Sequence, residues 1–135
     1  MTETIPHYPQ PVTDADNRPF LDGWRRGQLY LQHCRGCGKA VFYPRSLCPH
    51  CWSTDLEWRQ ASGRGTVVSY SRIYRPNHPA FNDEVPIVLA EIRLAEGAAL
   101  LARILRGDVE SGMEVMLMAS AEAAERFPLP VFQPA

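Results

Sequence analysis

At 135 residues, with 45% hydrophobic and 21% charged residues and a formal net charge of −1, the chain has the make-up of a globular protein of one compact unit or two very small ones. A pI near 6.4 is a poor start for a nucleic-acid binder. No apolar segment approaches the roughly 20 residues that span a bilayer, and the start Met-Thr-Glu-Thr-Ile-Pro has no apolar run of a secretory signal, so a cytoplasmic chain is expected.

In chain order, residues 1–16 carry Pro6, Pro9 and Pro11 and read as an extended arm without regular structure. Asn17 suits an N-cap, Pro19 the first turn, and Asp22 the positive end of a helix dipole. Phe20, Leu21 and Trp24 form an apolar stripe on a short helix, Arg25 and Arg26 lie beside it, and Gly27 stops it. So short a helix must pack on something, with Trp24 as its anchor.

Leu29-Tyr30-Leu31-Gln32 then reads as a strand that enters Cys34-Arg-Gly-Cys37, and Ala40-Val41-Phe42-Tyr43 as a second strand that leads toward Cys48-Pro-His-Cys51. These are the only four cysteines of the chain, in two Cys-x-x-Cys knuckles. Two such knuckles place four thiolates at the corners of a tetrahedron, the geometry zinc accepts at about 2.3 Å per Zn–S bond. Gly36 and Gly38 ease the first turn and Pro49 pre-sets the second. Disulfides are disfavoured in a cytosolic chain, and the rubredoxin iron site sets its knuckles farther apart. A zinc site of Cys34, Cys37, Cys48 and Cys51 is expected, structural because no position is left for water; His33 and His50 are bystanders. Leu56-Glu-Trp-Arg-Gln60 alternates as a third strand and completes a small antiparallel ribbon over about residues 28–60.

From residue 61 the signal is β throughout. Gly63 and Gly65 make a turn, followed by the run Thr66 to Tyr74. Residues 76–86, with Pro76, Pro79 and Pro86, form a loop long enough for a flap. Val88, Ala90, Ile92 and Leu94 share one face of the next strand, and Leu100 to Leu105 and a final strand Met113 to Met118 follow. This spacing argues for a small barrel of the five-stranded oligonucleotide/oligosaccharide-binding (OB) type. Ala121 to Arg126 could close it as a helical turn, and Phe127 to Phe132 is an apolar tail that packs on the barrel or on a partner. The fold expected is therefore mainly β: arm and helix (1–27), rubredoxin-like zinc ribbon (28–60), then OB barrel with its tail (61–135).

Charge is spread unevenly over these parts. Residues 18–75 hold ten Arg or Lys against three Asp or Glu, and residues 76–135 hold four against nine. A zinc tetrathiolate would take two charges off the basic half. An anionic ligand or acidic partner would favour that half, and ordinary surface charge gives the same pattern.

The ordered set resembles a known family: Phe20 and Trp24, Leu29-Tyr-Leu-Gln-His-Cys34-x-x-Cys37-Gly38, Phe42-Tyr-Pro-Arg45-x-x-Cys48-Pro-x-Cys51, Gly63-x-Gly65-x-Val67, Val85-Pro-Ile87, Glu96-Gly97 and Gly112-x-x-Val115. It is similar to the zinc-ribbon/OB-fold proteins catalogued as domain of unknown function 35, over about Pro19 to Phe132. Ile87 departs from the pattern, since many members carry an aromatic there. The resemblance implies a non-catalytic subunit that partners thiolase-superfamily enzymes (thiolases, acyltransferases, steroid retro-aldolases) and helps form an acyl-CoA site, in lipid, steroid or aromatic-acid metabolism. For CoA phosphates or a partner surface the candidates are Arg45, Arg25, Arg26 and Arg72, with Tyr70 and Tyr74; Arg75 and Lys39 are weaker ones. Arg45 serves equally as a counter-charge to the thiolates.

The main alternative is a single-stranded nucleic-acid-binding zinc-ribbon OB protein. The two tyrosines and two arginines of residues 66–75 are compatible with it, and the acidic later strands oppose it. A stand-alone enzyme would have to use His78 with Asp83-Glu84, an unsupported acid/base set in a loop.

Overall fold

Short apolar runs cut by turn residues fold into a sequence of small elements, seen in a computed structural model that describes residues 8–135. The first seven residues of the expected arm, Pro6 among them, lie outside the described residues. Helix α1 (Arg18–Arg25) buries Phe20, Leu21, Gly23 and Trp24, as its stripe requires. Asn17 takes the N-cap position, but its side chain caps no helix N–H. Its Oδ1 accepts from the Asp14 N–H at 2.8 Å, and its Nδ2 donates to Val12 O at 2.9 Å and to the Tyr43 hydroxyl at 3.1 Å. Asn17 is buried, so its amide is spent on the preceding turn and the ribbon rather than on the helix. Asp22 likewise misses the first turn and pairs with Arg25 at 2.7 Å, an exposed pair worth less than about 1 kcal/mol.

Gly27 does stop α1. Its N–H donates to Trp24 O at 2.7 Å and the Gln28 N–H to Gly23 O at 2.9 Å, with Gly27 at φ +76°, a Schellman ending. A Cβ there would also stand 3.0 Å from the Ser120 carbonyl carbon, so the turn is one of the places where the two halves of the chain touch.

In the ribbon, β1 (Tyr30–Cys34) lies between β2 (Ala40–Val41) and β3 (Leu56–Gln60), both antiparallel to it. The expected second strand ends early. Phe42 and Tyr43 leave the ladder and set their rings edge-on to Phe20 of α1, at centroid separations of 5.4 and 6.0 Å.

The remaining strands form a closed five-stranded barrel, the OB arrangement. They are β4 (Arg64–Ile73), β5 (Ile87–Leu94), β6 (Ala99–Ile104), β7 (Glu114–Leu117) and β8 (Val131–Pro134), in the order β4-β5-β6-β8-β7. Two expectations are corrected here. The 113–118 strand is not the last, and the 121–126 segment does not close the barrel. It forms helix α2 (Ala121–Arg126), capped by the Ser120 hydroxyl and in contact with α1, with Ala123 and Ala124 buried. Closure falls to the apolar tail: β8 runs antiparallel to β7 and parallel to β6, with Phe132 fully buried. Pro128, Pro130 and Pro134 hide this strand from a sequence reading, because proline lacks the ladder donor. The 76–86 loop also has structure of its own, a 3-10 helix over Pro79–Glu84 whose first turn is capped by His78.

Helix α1, strand β1 and the barrel share one hydrophobic core, in which Trp24, Leu29 and Leu31 join Ile92, Val115 and Phe132. The cysteine end of the ribbon has only Cys34, Val41 and Cys48 buried together. Three small residues cannot hold that end by burial alone. Among the described residues no helix is long and apolar enough to cross a membrane.

Candidate metal centre and partner-facing surface

The four cysteine sulfurs converge, each within 4.8 Å of every other. Cys34–Cys51 and Cys37–Cys48 approach to 3.5 and 3.6 Å, close to the edge of about 3.8 Å that a tetrahedron with 2.3 Å metal–sulfur bonds requires. Cys34 and Cys48 are buried, whereas Cys37 and Cys51 face solvent. The knuckles are built alike: the Gly38 N–H donates to Cys34 O, and the Trp52 N–H to Cys48 O, each at 2.8 Å. Both residues have φ > 0, at +77° and +65°. Glycine takes this conformation freely, whereas Trp52 pays about 1 kcal/mol or more for it while standing exposed.

Backbone N–H groups of Cys37 and His50 donate to the sulfurs of Cys34 and Cys48, each at 3.4 Å. The Cys37 N–H, assisted by the Cys51 thiol, holds the Cys34 thiol down to about 7. At Cys51 the Ser53 N–H pulls downward, but donation to Cys34, with partial desolvation and the other two thiols beside it, outweighs that pull, and the thiol is pushed up to about 12. One thiolate thus suppresses the next, a repulsion that a bound cation would relieve. The donor set, all sulfur and fully closed, is arranged as a zinc-ribbon site.

The arginine and tyrosine candidates fall in separate places. Arg25 pairs with Asp22, and Arg26 lies 5.7 Å over the Tyr30 ring. On β4, Arg72 lies 5.2 Å over Tyr70, and Tyr74 is largely exposed. Arg75 lines a groove beside Ile73 and Phe81, and Lys39 is exposed. Arg45 has the most firmly tethered backbone of these. Buried Gln32 clamps its backbone from both sides, accepting from the Arg45 N–H at 2.9 Å and donating to Arg45 O at 2.8 Å. Its Nε donates to Tyr43 O at 3.0 Å, so that part of the guanidinium is committed to the ribbon backbone rather than to the sulfurs.

Two features escape a sequence reading. The first is a partly buried cluster: the Glu84 carboxylate accepts from the Tyr8 hydroxyl at 2.6 and 2.8 Å and from Arg103 Nη1 at 2.7 Å. It ties the arm, the 3-10 helix and β6 together, with Tyr8 stacked on Phe81 and Phe127. Only the arginine that interrupts the apolar alternation of β6 hints at it. The second is an apolar surface of two adjoining grooves of about 350 and 340 Å³, which share Leu101, Leu129 and Pro130. Leu101 is 68% exposed and Leu129 44%, unusual for leucines side by side.

Comparison with known proteins accords with this architecture. The family models described as "ChsH2, rubredoxin-like zinc ribbon domain" and "ChsH2, C-terminal OB-fold domain" match residues 21–57 and 58–119. A "Probable enoyl-CoA hydratase alpha subunit" of Thermomonospora curvata is 38% identical over 130 residues, which cover 94% of this chain and 40% of that protein. This chain therefore spans well under half of that relative's length. A "DUF35 domain-containing scaffold protein" of Methanothermobacter thermautotrophicus is 37% identical over 103 residues, 70% of this chain and 77% of that one. The "Benzoylsuccinyl-CoA thiolase subunit BbsA" of Geobacter metallireducens is 31% identical over 93 residues, 69% of this chain and 55% of that one. Among solved structures, a chain of the "Ltp2-ChsH2(DUF35) aldolase" superposes with a TM-score of 0.76 and 34% identity, covering 93% of this chain and 98% of that one.

Proposed function

We propose, for a chain that belongs to the ChsH2 (DUF35) family of zinc-ribbon/OB-fold proteins, the role of a non-catalytic accessory subunit. It binds and stabilises a thiolase-superfamily enzyme (a thiolase, acyltransferase or retro-aldolase) and helps form that enzyme's acyl-CoA site. The acyl groups belong to lipid, steroid or aromatic-acid metabolism. The observation that carries this reading is the match to nearly the whole DUF35 chain of a two-component aldolase. The relative named as a thiolase subunit supports the same class of partner.

The chemistry of the chain is consistent with that role. Cys34, Cys37, Cys48 and Cys51 hold one structural zinc, which leaves no open position for substrate. His78 has its Nδ1 engaged by the Ala80 N–H at 3.1 Å, and Glu84 is engaged by Tyr8 and Arg103, so neither is poised for acid/base work. For the nucleic-acid alternative, Arg72 stacks on Tyr70 and the acidic Glu91 lies on the outer face of β5, where a groove that tracks phosphates needs cations. Arg45, whose backbone is held by Gln32, is the residue of this chain proposed to reach a CoA phosphate at a shared site.

The test is to purify the tagged chain under native conditions and identify what accompanies it in fixed stoichiometry. A thiolase-superfamily subunit is expected, less soluble or less active when made alone, with CoA bound by the pair. Turnover of an acyl-CoA by this chain alone, or the absence of such a subunit, overturns the proposal.

A further inference from the structure

Strand β6 is paired over its whole length on one side only. β5 covers it from Ala99 to Ile104, whereas β8 joins the other side at Arg103 and Ile104. The Leu105 N–H donates to Phe132 O at 2.8 Å, so the odd-numbered residues turn their backbone groups toward the β8 side. Ala99 and Leu101 do so before β8 has begun. The chain that precedes β8 there is Pro128-Leu129-Pro130, whose prolines have no N–H to offer. Among the described residues no backbone hydrogen bond reaches Ala99 or Leu101 from that side.

This open edge runs between the two apolar grooves. Phe42 and Tyr43 of the ribbon wall the first, and Phe81 and Arg75 the second. Half-buried Glu91 lines the first groove and Arg75 the second, and neither forms an ion pair among the described residues. The site therefore offers an unpaired strand edge, an apolar seat at each end and one unpaired charge of each sign.

We propose that this edge receives an extended segment of the thiolase-type partner, which adds as a strand beside Ala99–Leu101. The segment places an apolar side chain in each groove, a basic residue against Glu91 and an acidic residue against Arg75. The inference rests on the accessory-subunit reading and names the docking site within it. A second copy of this chain paired through the same edge would instead show as a homodimer of the purified chain that Leu101→Pro dissolves, and that result overturns the proposal. Backbone bonding sets the register of the added strand, and the grooves and charges select its sequence. Covering the edge also removes an aggregation hazard from the assembled protein.

The experiment uses the thiolase-type subunit that accompanies the wild-type chain, with two substitutions at one position. Leu101→Pro deletes the outward N–H and leaves the β5 ladder intact; Leu101→Thr removes the same apolar side chain and keeps the N–H. Circular dichroism and zinc content check that both variants fold. Leu101→Pro is expected to weaken assembly at least about tenfold more than Leu101→Thr. Hydrogen exchange at residues 99–102 is expected to slow in the wild-type complex relative to the free chain. Equal effects of the two substitutions, or unchanged exchange in an intact complex, overturn the edge proposal and leave the accessory role standing. Absence of any such complex with the wild-type chain overturns both.

Discussion

Replacing Trp24 by phenylalanine tests whether ribbon and barrel form one cooperative unit. The indole is buried, and its Nε1–H donates to Phe127 O at 2.8 Å, across 103 residues of sequence. Losing the donor leaves a carbonyl unpaired at a cost of about 1–3 kcal/mol. Shrinking the ring adds about 1 kcal/mol of lost burial and residual cavity. The sum, about 2–4 kcal/mol, is a large share of the roughly 5–15 kcal/mol that holds a domain of this kind together. With a urea slope of about 1–3 kcal/mol/M, the midpoint should fall by about 1–2 M. Far-UV circular dichroism reports the barrel, and zinc captured by a chromophoric chelator reports the ribbon. Because Trp24 sits in the core common to both, the two signals should shift together. A loss below about 1 kcal/mol, or a ribbon transition that moves while the barrel stays put, would refute the shared-core argument.

Gly27→Ala forces a Cβ into a left-handed turn and against the Ser120 backbone, and should cost about 2–3 kcal/mol in a denaturant titration. Cys48→Ser should abolish stoichiometric zinc by elemental analysis, and chelation of the wild-type should expose only the cysteine end, residues 35–55, to protease, while β1, β3 and the barrel, which share one core, stay protected; full protection of 35–55 without metal would show that the metal is dispensable there. Burial, followed by its bond to Glu84, holds the Tyr8 hydroxyl above its ordinary value of 10.0. Its contribution to stability is therefore intact below about pH 10 and is lost as pH rises through the folded value, so melting temperatures of Tyr8→Phe and wild-type should converge on the alkaline side. Glu57 behaves in the opposite sense. The Arg35 and Arg59 side chains hold its carboxyl below the ordinary value, so its contribution is present at neutral pH and disappears as pH falls through the folded value, an acid-side loss that Glu57→Gln should abolish.

Four cysteines in two knuckles show the candidate metal site in the sequence because each pair is set by a local turn of four residues, whatever surrounds it. Most strands are legible for a similar reason: the period-two alternation of β3 and β5, and the short β-rich runs of β4, β6 and β7 between turn glycines, are local properties. What pairs with what is not local. β8 carries prolines that locally deny a strand, and it exists because β6 and β7 present edges and the barrel has room for Phe132. Asn17 has the chemistry of a cap, but burial recruited its amide to Val12, Asp14 and Tyr43. The arginines could be nominated by type alone, and only packing set Arg72 on Tyr70 and clamped Arg45 through Gln32. Tyr8, Glu84 and Arg103 lie far apart in the chain and meet only when the arm, the 3-10 helix and β6 close on one another. The sequence by itself thus determined the four-cysteine cluster and most of the strands, because those follow from neighbours along the chain. Tertiary structure alone decided the closing strand, the buried carboxylate cluster and the half-paired edge of β6, because each depends on backbone groups that burial must either satisfy or leave for another chain.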